Sequence, residues 1–330
     1  MTMGLELRPP PAPSRPATAP SAHPDGTPRV SGWRARRSWL DIKASPYLYI
    51  APFFLLFAVF GLFPIGYTFW VSLFNWSLIG GRHFVGLHNY SKLMADGDFW
   101  NSVVNTFGIF VVATVPQLLA ALGLASLLNQ WLRARTFFRM GVLIPMVTSV
   151  AAVAIVFSQL YGRDYGLVNW VLHFFGVHKI EWQADKWSSW IAISTMVDWR
   201  WTGYNTLIYL AAMQAIPRDL YEAAAIDGAS RTKQFRRITI PLLRPTIIFT
   251  AIISTIGGLQ LFTEPVLFGS GQMGGGTLGQ FQTMTMYMFE NAFRNYKYGY
   301  GATVAWVLFV IIILASLVNF LIIRRLRSVG

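Results

Sequence analysis

Few side chains in this sequence suit covalent chemistry. There is no cysteine, and the five histidines, His23, His83, His88, His173 and His178, form no HExxH pattern. Thiolate nucleophiles, disulfide frameworks and a zinc-protease site are thereby excluded. The glycine-rich stretch Gly269–Thr277 is followed by no Gly-Lys-Ser/Thr, so it is not a phosphate-cradling loop. No catalytic residue, metal or cofactor is expected. What remains is hydrogen-bonding chemistry. Gln260, Thr263 and Glu264 are spaced i, i+3, i+4 and would share one face of a helix, with Phe262 among them. An amide, a hydroxyl, a carboxylate and an aromatic ring suit a hydroxyl-rich solute, and Asn205 joins them as a candidate. Asp198 and Arg200 are two residues apart, so on a helix they point to different faces and do not pair.

The elements that hold these groups are set by composition. Of 330 residues 54% are hydrophobic and 12% charged, and mean hydropathy is +0.44. A soluble domain carries about 25% charged residues. Half that fraction suits a surface that faces lipid. Tyr47–Gly81 contains no charge at all. A span needs about 20 apolar residues, and six segments qualify: 47–75, 103–128, 137–160, 189–212, 243–268 and 302–323. Pro145 interrupts the third, which a bundle helix tolerates when neighbours satisfy the freed backbone groups. Residues 1–45 hold eight of the 17 prolines and little apolar periodicity, the mark of a disordered tail. The first apolar run starts too far along the chain for a cleavable signal. The expected organisation is a tail over 1–45, a transmembrane domain over 46–327 and a short end over 328–330.

The net charge of +13 does not form one basic face. It sits between apolar segments, which argues against nucleic-acid binding and for topology. With the N-terminus inside, 19 of the 27 Lys and Arg residues fall on the inner side: the tail, Arg133–Arg139, Arg218–Arg244 and Arg324–Arg327. Positive charge resists translocation, so both termini are expected in the cytosol.

The connection between the fourth and fifth spans carries helix signals over 215–241. Pro217 suits a first turn. Leu220, Ala223, Ala224 and Asp227 follow helical spacing. Gly228 can take the positive φ that ends a helix, and Ser230 can cap a second short helix bearing Phe235 and Ile238. Pro241 and Pro245 would then break the path into the next span. This is a helix–turn–helix on the cytosolic side. It resembles the signature of ABC importer permeases: Glu222-Ala223-Ala224, three residues, Gly228, nine residues, Ile238, one residue, then Ile240 and Pro241. Ile240 replaces the family's leucine, a change that conserves volume. The resemblance covers most of 47–327. Trp201–Pro217 and the glycine-rich stretch 269–277 are similar to the carbohydrate-importer branch that includes the maltose permease.

The resemblance implies an all-α membrane fold of about six helices, the type I importer permease fold. It implies that Glu222, Ala223, Ala224, Asp227, Gly228, Phe235, Ile238 and Pro241 couple to a separate ATPase. It implies that Asn205, Gln260, Thr263 and Glu264 lie on the solute path. Its expected partners are a second homologous permease, an ABC ATPase dimer and an extracellular solute-binding protein in a prokaryotic plasma membrane. The fifth span and outer loop resemble permeases for cellobiose and related disaccharides. A secondary transporter would show inverted repeats and more buried charge, and an intramembrane enzyme would need a nucleophile with its base. Neither pattern is present in the sequence.

Overall fold

A computed structural model describes residues 32–130 and 135–327. The tail up to residue 31, Arg133 and the end at 328–330 lie outside the described residues. The chain divides into two units, 1–62 and 63–330. In the first, α1 runs over Gly32–Phe57 and passes into a π turn at Ala58–Leu62. It thus begins inside the 1–45 stretch read as a tail.

The second unit opens with α2 (Phe63–Ser72), followed by a hairpin of β1 (Phe74–Trp76) and β2 (Arg82–Phe84). The strands are antiparallel in the register Phe74↔Phe84 and Trp76↔Arg82. Helices follow as α3 (His88–Met94), α4 (Gly97–Leu128), α5 (Arg135–Val147), α6 (Val150–Leu160), α7 (Leu167–Phe174) and α8 (Lys186–Gln214). Then come α9 (Arg218–Ile226), α10 (Arg231–Gln234), α11 (Ile240–Leu259), α12 (Thr263–Phe268), α13 (Met284–Phe289) and α14 (Tyr298–Arg327).

Among the described residues four helical stretches are long and apolar enough to span a bilayer: Ser45–Ser72, Gly97–Leu128, Arg231–Leu259 and Tyr298–Leu321. Two of the six expected spans do not stand among these four. The third is broken. Thr136–Val147 and Val150–Leu160 meet at 91°, because Pro145 cannot donate to the turn before it and Ser149 is extended (ψ 128°). The fourth, α8, has 29 residues, about 43 Å at 1.5 Å per residue, yet it is not apolar enough to stand among the four. The reason is its place. It packs along α4 and α5 and buries Ser189, Trp190, Ser194, Asn205, Thr206 and Tyr209 within the bundle. A helix surrounded by protein need not present an apolar face to lipid.

Close helix contact is set by glycine. A β-carbon on Gly203 of α8 would run into the Val142 carbonyl of α5, and one on Gly108 of α4 into the Trp190 ring of α8. Such small residues let membrane helices approach without a void. Ile109, Ala113, Ile193, Met196 and Phe268 form one core, and Phe99, Leu259, Met284, Val304 and Leu308 another. A third joins Ala121, Ala125, Tyr209, Met213 and Leu243 near the α8–α9 connection.

The segment between α12 and α13 is folded against the helices rather than loose. Asn101 and Asn105 of α4 donate to the Gly279 carbonyl, both at 2.7 Å, and Trp190 donates to the Gln280 carbonyl at 3.2 Å. A β-carbon on Gly275, which has φ +65°, would collide with the Gln282 backbone. The glycines here serve this tight packing.

Candidate functional site

The four residues assigned to the solute path come together. Asn205 from α8 and Gln260, Thr263 and Glu264 from the α11–α12 junction line one cavity of about 380 Å³. Its wall also includes Phe110, Thr114 and Gln117 from α4, Trp201 and Tyr204 from α8, and Ser254 from α11. The size falls at the small end of ordinary ligand pockets, about 300–1,000 Å³.

The route by which they converge differs from the sequence expectation. Gln260, Thr263 and Glu264 do not share the face of one continuous helix. The helix ends at Leu259, with Gln260 as its cap (φ −101°, ψ 15°), and α12 starts only after Phe262 (φ −129°). The expected fifth span over 243–268 is therefore displaced to Arg231–Leu259. Pro265 accounts for the break: a helix continuing through it would drive its ring against the Leu261 carbonyl. That carbonyl accepts instead from Thr283 Oγ1 at 2.9 Å and Thr285 Oγ1 at 2.6 Å. Irregular backbone at membrane depth is tolerated where it is enclosed by protein or lines a cavity. The break wraps the three polar residues around the opening.

Arg200, which the sequence reading left unpaired, reaches Glu264. Its Nη1 lies 2.8 Å from Oε1, and the two side chains are 15% and 7% exposed. The guanidinium also stands 5.9 Å from the Trp201 ring centroid. As expected, no bond joins Arg200 to Asp198, whose Oδ1 is buried without a hydrogen-bond partner. Only a partner 64 residues away makes sense of Arg200, and no local pattern announces it. Asn205 is 3% exposed and its amide lies 3.5 Å from Ser254 Oγ.

The second assembly is the connection from α8 to α11. Gly228 has φ +75°. Its N–H donates to the Ala225 carbonyl at 3.0 Å, and that of Ala229 to Ala224 at 2.8 Å. These are the paired bonds of a Schellman helix end. Ser230 Oγ accepts from Lys233 N at 3.4 Å, capping α10. The expected break at Pro241 and Pro245 does not occur. A π turn at Phe235–Thr239 joins α10 to α11, where Pro241 sits in the first turn, a position that spares the missing donor. The second arm of the helix–turn–helix is therefore the leading end of the next span.

Two ties that the sequence reading overlooked brace the arms. Tyr221 Oη and Thr239 Oγ1 are 2.9 Å apart, and Gln234 donates to the Ala229 carbonyl at 3.1 Å. Glu222, Ala223, Asp227 and Gly228 are exposed, while Ala224, Ile238 and Pro241 are half-buried. Phe235 was expected to present itself outward. It packs instead on the core around Tyr209 and Leu243. The apolar groups facing out are Ile226, 87% exposed, and Leu220.

At the N-terminal end of α4, Asp96 caps the helix and binds two tyrosines. Its Oδ2 accepts from Tyr287 at 2.5 Å and from Tyr300 at 2.6 Å. Burial opposes ionisation of Asp96, but these hydroxyls and the N–H groups of Phe99 and Asp98 outweigh it and hold the carboxyl below its ordinary value.

Residues 106–328 match the family described as binding-protein-dependent transport system inner membrane component. The chain is 38% identical to the lactose transport system permease protein of Rhizobium radiobacter, over 83% of this chain and 92% of that one. It is 34% identical to the arabinooligosaccharides transport system permease protein of Bacillus subtilis, over 92% and 96%. It is 35% identical to the trehalose/maltose transport system permease protein of Thermococcus litoralis, over 82% and 91%. A solved chain from a bacterial ABC transporter involved in import of the acidic polysaccharide alginate shares the fold, with TM-score 0.73 at 22% identity. It covers 88% of this chain and 99% of that one. A second structure of the alginate transporter, in complex with a pentasaccharide-bound periplasmic protein, gives TM-score 0.75 at 22% identity, over 88% and 98%. The chain is a multi-pass membrane protein and belongs to the binding-protein-dependent transport system inner membrane components.

Proposed function

We propose that this chain is one permease subunit of an ABC importer and forms half of the membrane path for a di- or oligosaccharide. The observation that carries the reading is the cavity wall. Amide and hydroxyl groups of Gln117, Asn205, Ser254, Gln260 and Thr263 alternate there with the rings of Phe110, Trp201 and Tyr204. Polar groups at this depth are costly unless they serve a partner or a passage, and the mixture suits sugar hydroxyls and C–H faces. Relatives named for lactose, arabinooligosaccharides and trehalose/maltose support the substrate class.

In this reading an extracellular solute-binding protein delivers the sugar, and a second homologous permease supplies the other half of the path. A pair of separate ATPase subunits drives the cycle. They engage the connection from α8 to α11, with Glu222, Ala223, Asp227 and Ile226 as its outward surface and Gly228 as its turn. Both termini and this connection face the cytosol, in keeping with the charge bias of the loops.

Two measurements test the proposal. Cells that make the complete importer should take up a labelled neutral disaccharide or oligosaccharide and lose that uptake when this chain is deleted. Saturable uptake that survives deletion would remove the assignment. A cysteine introduced at Ser230 should react only with a reagent admitted to the cytosol, and one at Ser270 only from outside. The reverse labelling would overturn the topology.

A further inference from the structure

Among the described residues that line the cavity, Glu264 alone carries a formal charge. A lone carboxylate there would make the cavity a cation site. It is not alone: Arg200, which is outside the lining, holds it at 2.8 Å from behind the wall. The other two described ion pairs, Arg163–Glu181 and Lys179–Asp164, have side chains 48–62% exposed, where charge is screened and of little consequence. The Arg200–Glu264 pair is buried, where charge acts strongly. Glu264 Oε1 takes the arginine, which leaves the carboxylate able to accept from the cavity while the pair as a whole stays neutral. Glu264 is the hydrogen-bond partner described for the Arg200 guanidinium, and Arg200 Nε has none, so removing the Glu264 carboxylate takes away its paired charge.

We propose that Arg200 is a charge-selecting residue of this cavity. By completing a neutral pair with Glu264 it fits the path to uncharged saccharides and sets it against saccharides bearing a carboxylate. The proposal rests on the sugar-path reading above and adds the charge class of the solute. It assigns to Arg200 a part in selection exerted through Glu264 rather than through contact with the sugar.

The test uses the complete, purified importer complex in nanodiscs without its solute-binding protein, so that delivery does not decide selectivity. Binding is followed by tryptophan fluorescence, with Trp201 in the cavity wall as reporter. The probes are the neutral disaccharide that wild-type cells take up and a uronate-containing disaccharide. Wild type should prefer the neutral sugar by about tenfold or more, as expected when a buried charge goes unmatched. Glu264→Gln leaves the guanidinium uncompensated and should reverse the preference toward the uronate. Arg200→Gln leaves the carboxylate alone and should deepen rejection of the uronate. The double variant, Arg200→Gln with Glu264→Gln, restores neutrality and should return the wild-type preference, which a merely structural pair would not predict. An unchanged preference in Glu264→Gln overturns the proposal, as does absence of sugar binding to the wild-type complex. Failure of wild-type cells to take up any saccharide would instead sink the sugar reading itself.

Discussion

The α8–α11 connection and the cavity are built on opposite plans. Every tie within the connection is short in sequence: Ala229 to Ala224, Lys233 to Ser230, Gln234 to Ala229, Tyr221 to Thr239 across 18 residues. Neither α9 nor α10 buries a residue. The bundle around the cavity depends on distant partners, with Arg200 and Glu264 separated by 64 residues and the Met284 N–H donating to the Thr106 hydroxyl across 178. A surface element held by local hydrogen bonds keeps its outward groups available for another protein. A cavity held by long-range contacts keeps its shape only while the whole bundle is packed.

Substitutions should therefore act differently in the two regions. The largest effect is expected at Gly228. A valine cannot take φ +75° without strain, so Gly228→Val should misdirect α9, and Glu222→Lys reverses the charge on its exposed face. Both variants should abolish uptake and reduce co-purification of the ATPase, while the amount of inserted permease stays at the wild-type level. Normal uptake with normal retention would show that the connection does not couple.

A smaller effect, in stability as well as transport, is expected where the cavity wall is braced. Thr283→Val together with Thr285→Val removes both donors to the Leu261 carbonyl. A buried carbonyl left unsatisfied costs about 1–3 kcal/mol. The double variant should melt at lower temperature in detergent and lose uptake severalfold, yet retain the ATPase. Loss of ATPase retention here would erase the contrast between the two regions.

The smallest effect is expected at Asp96, outside both. Its folded carboxyl titrates below the ordinary 3.8, so it adds stability above that value and loses it as pH falls through the folded value. Asp96→Asn should melt a few degrees lower than wild type at pH 7. The two curves should draw together as pH is taken from 5 to 3, and a constant gap would rule out the ionised carboxylate as the cause.

The sequence alone determined what local rules govern. Charge-free runs marked most of the membrane helices. Gly228 and Ser230 marked the helix end and the cap, because a positive φ and an N-terminal hydroxyl are requirements of single residues. The sequence offered Asn205, Gln260, Thr263 and Glu264 together as candidates, and the fold lines one cavity with them. Their geometry was not legible. Pro265 was visible, but whether it would kink a helix or end it depended on who would take the Leu261 carbonyl, and Thr283 and Thr285 lie beyond a glycine-rich segment. The same holds for Phe235, which turned inward because Tyr209 and Leu243 offered it a core, and for Pro241, absorbed into the first turn of α11 by a π turn. Arg200 is the clearest case. Two residues from Asp198 it had no partner in the sequence, and only packing α8 against the α11–α12 break placed a carboxylate within reach. Pairing across a bundle is decided by which surfaces meet, and that is a property of the tertiary structure.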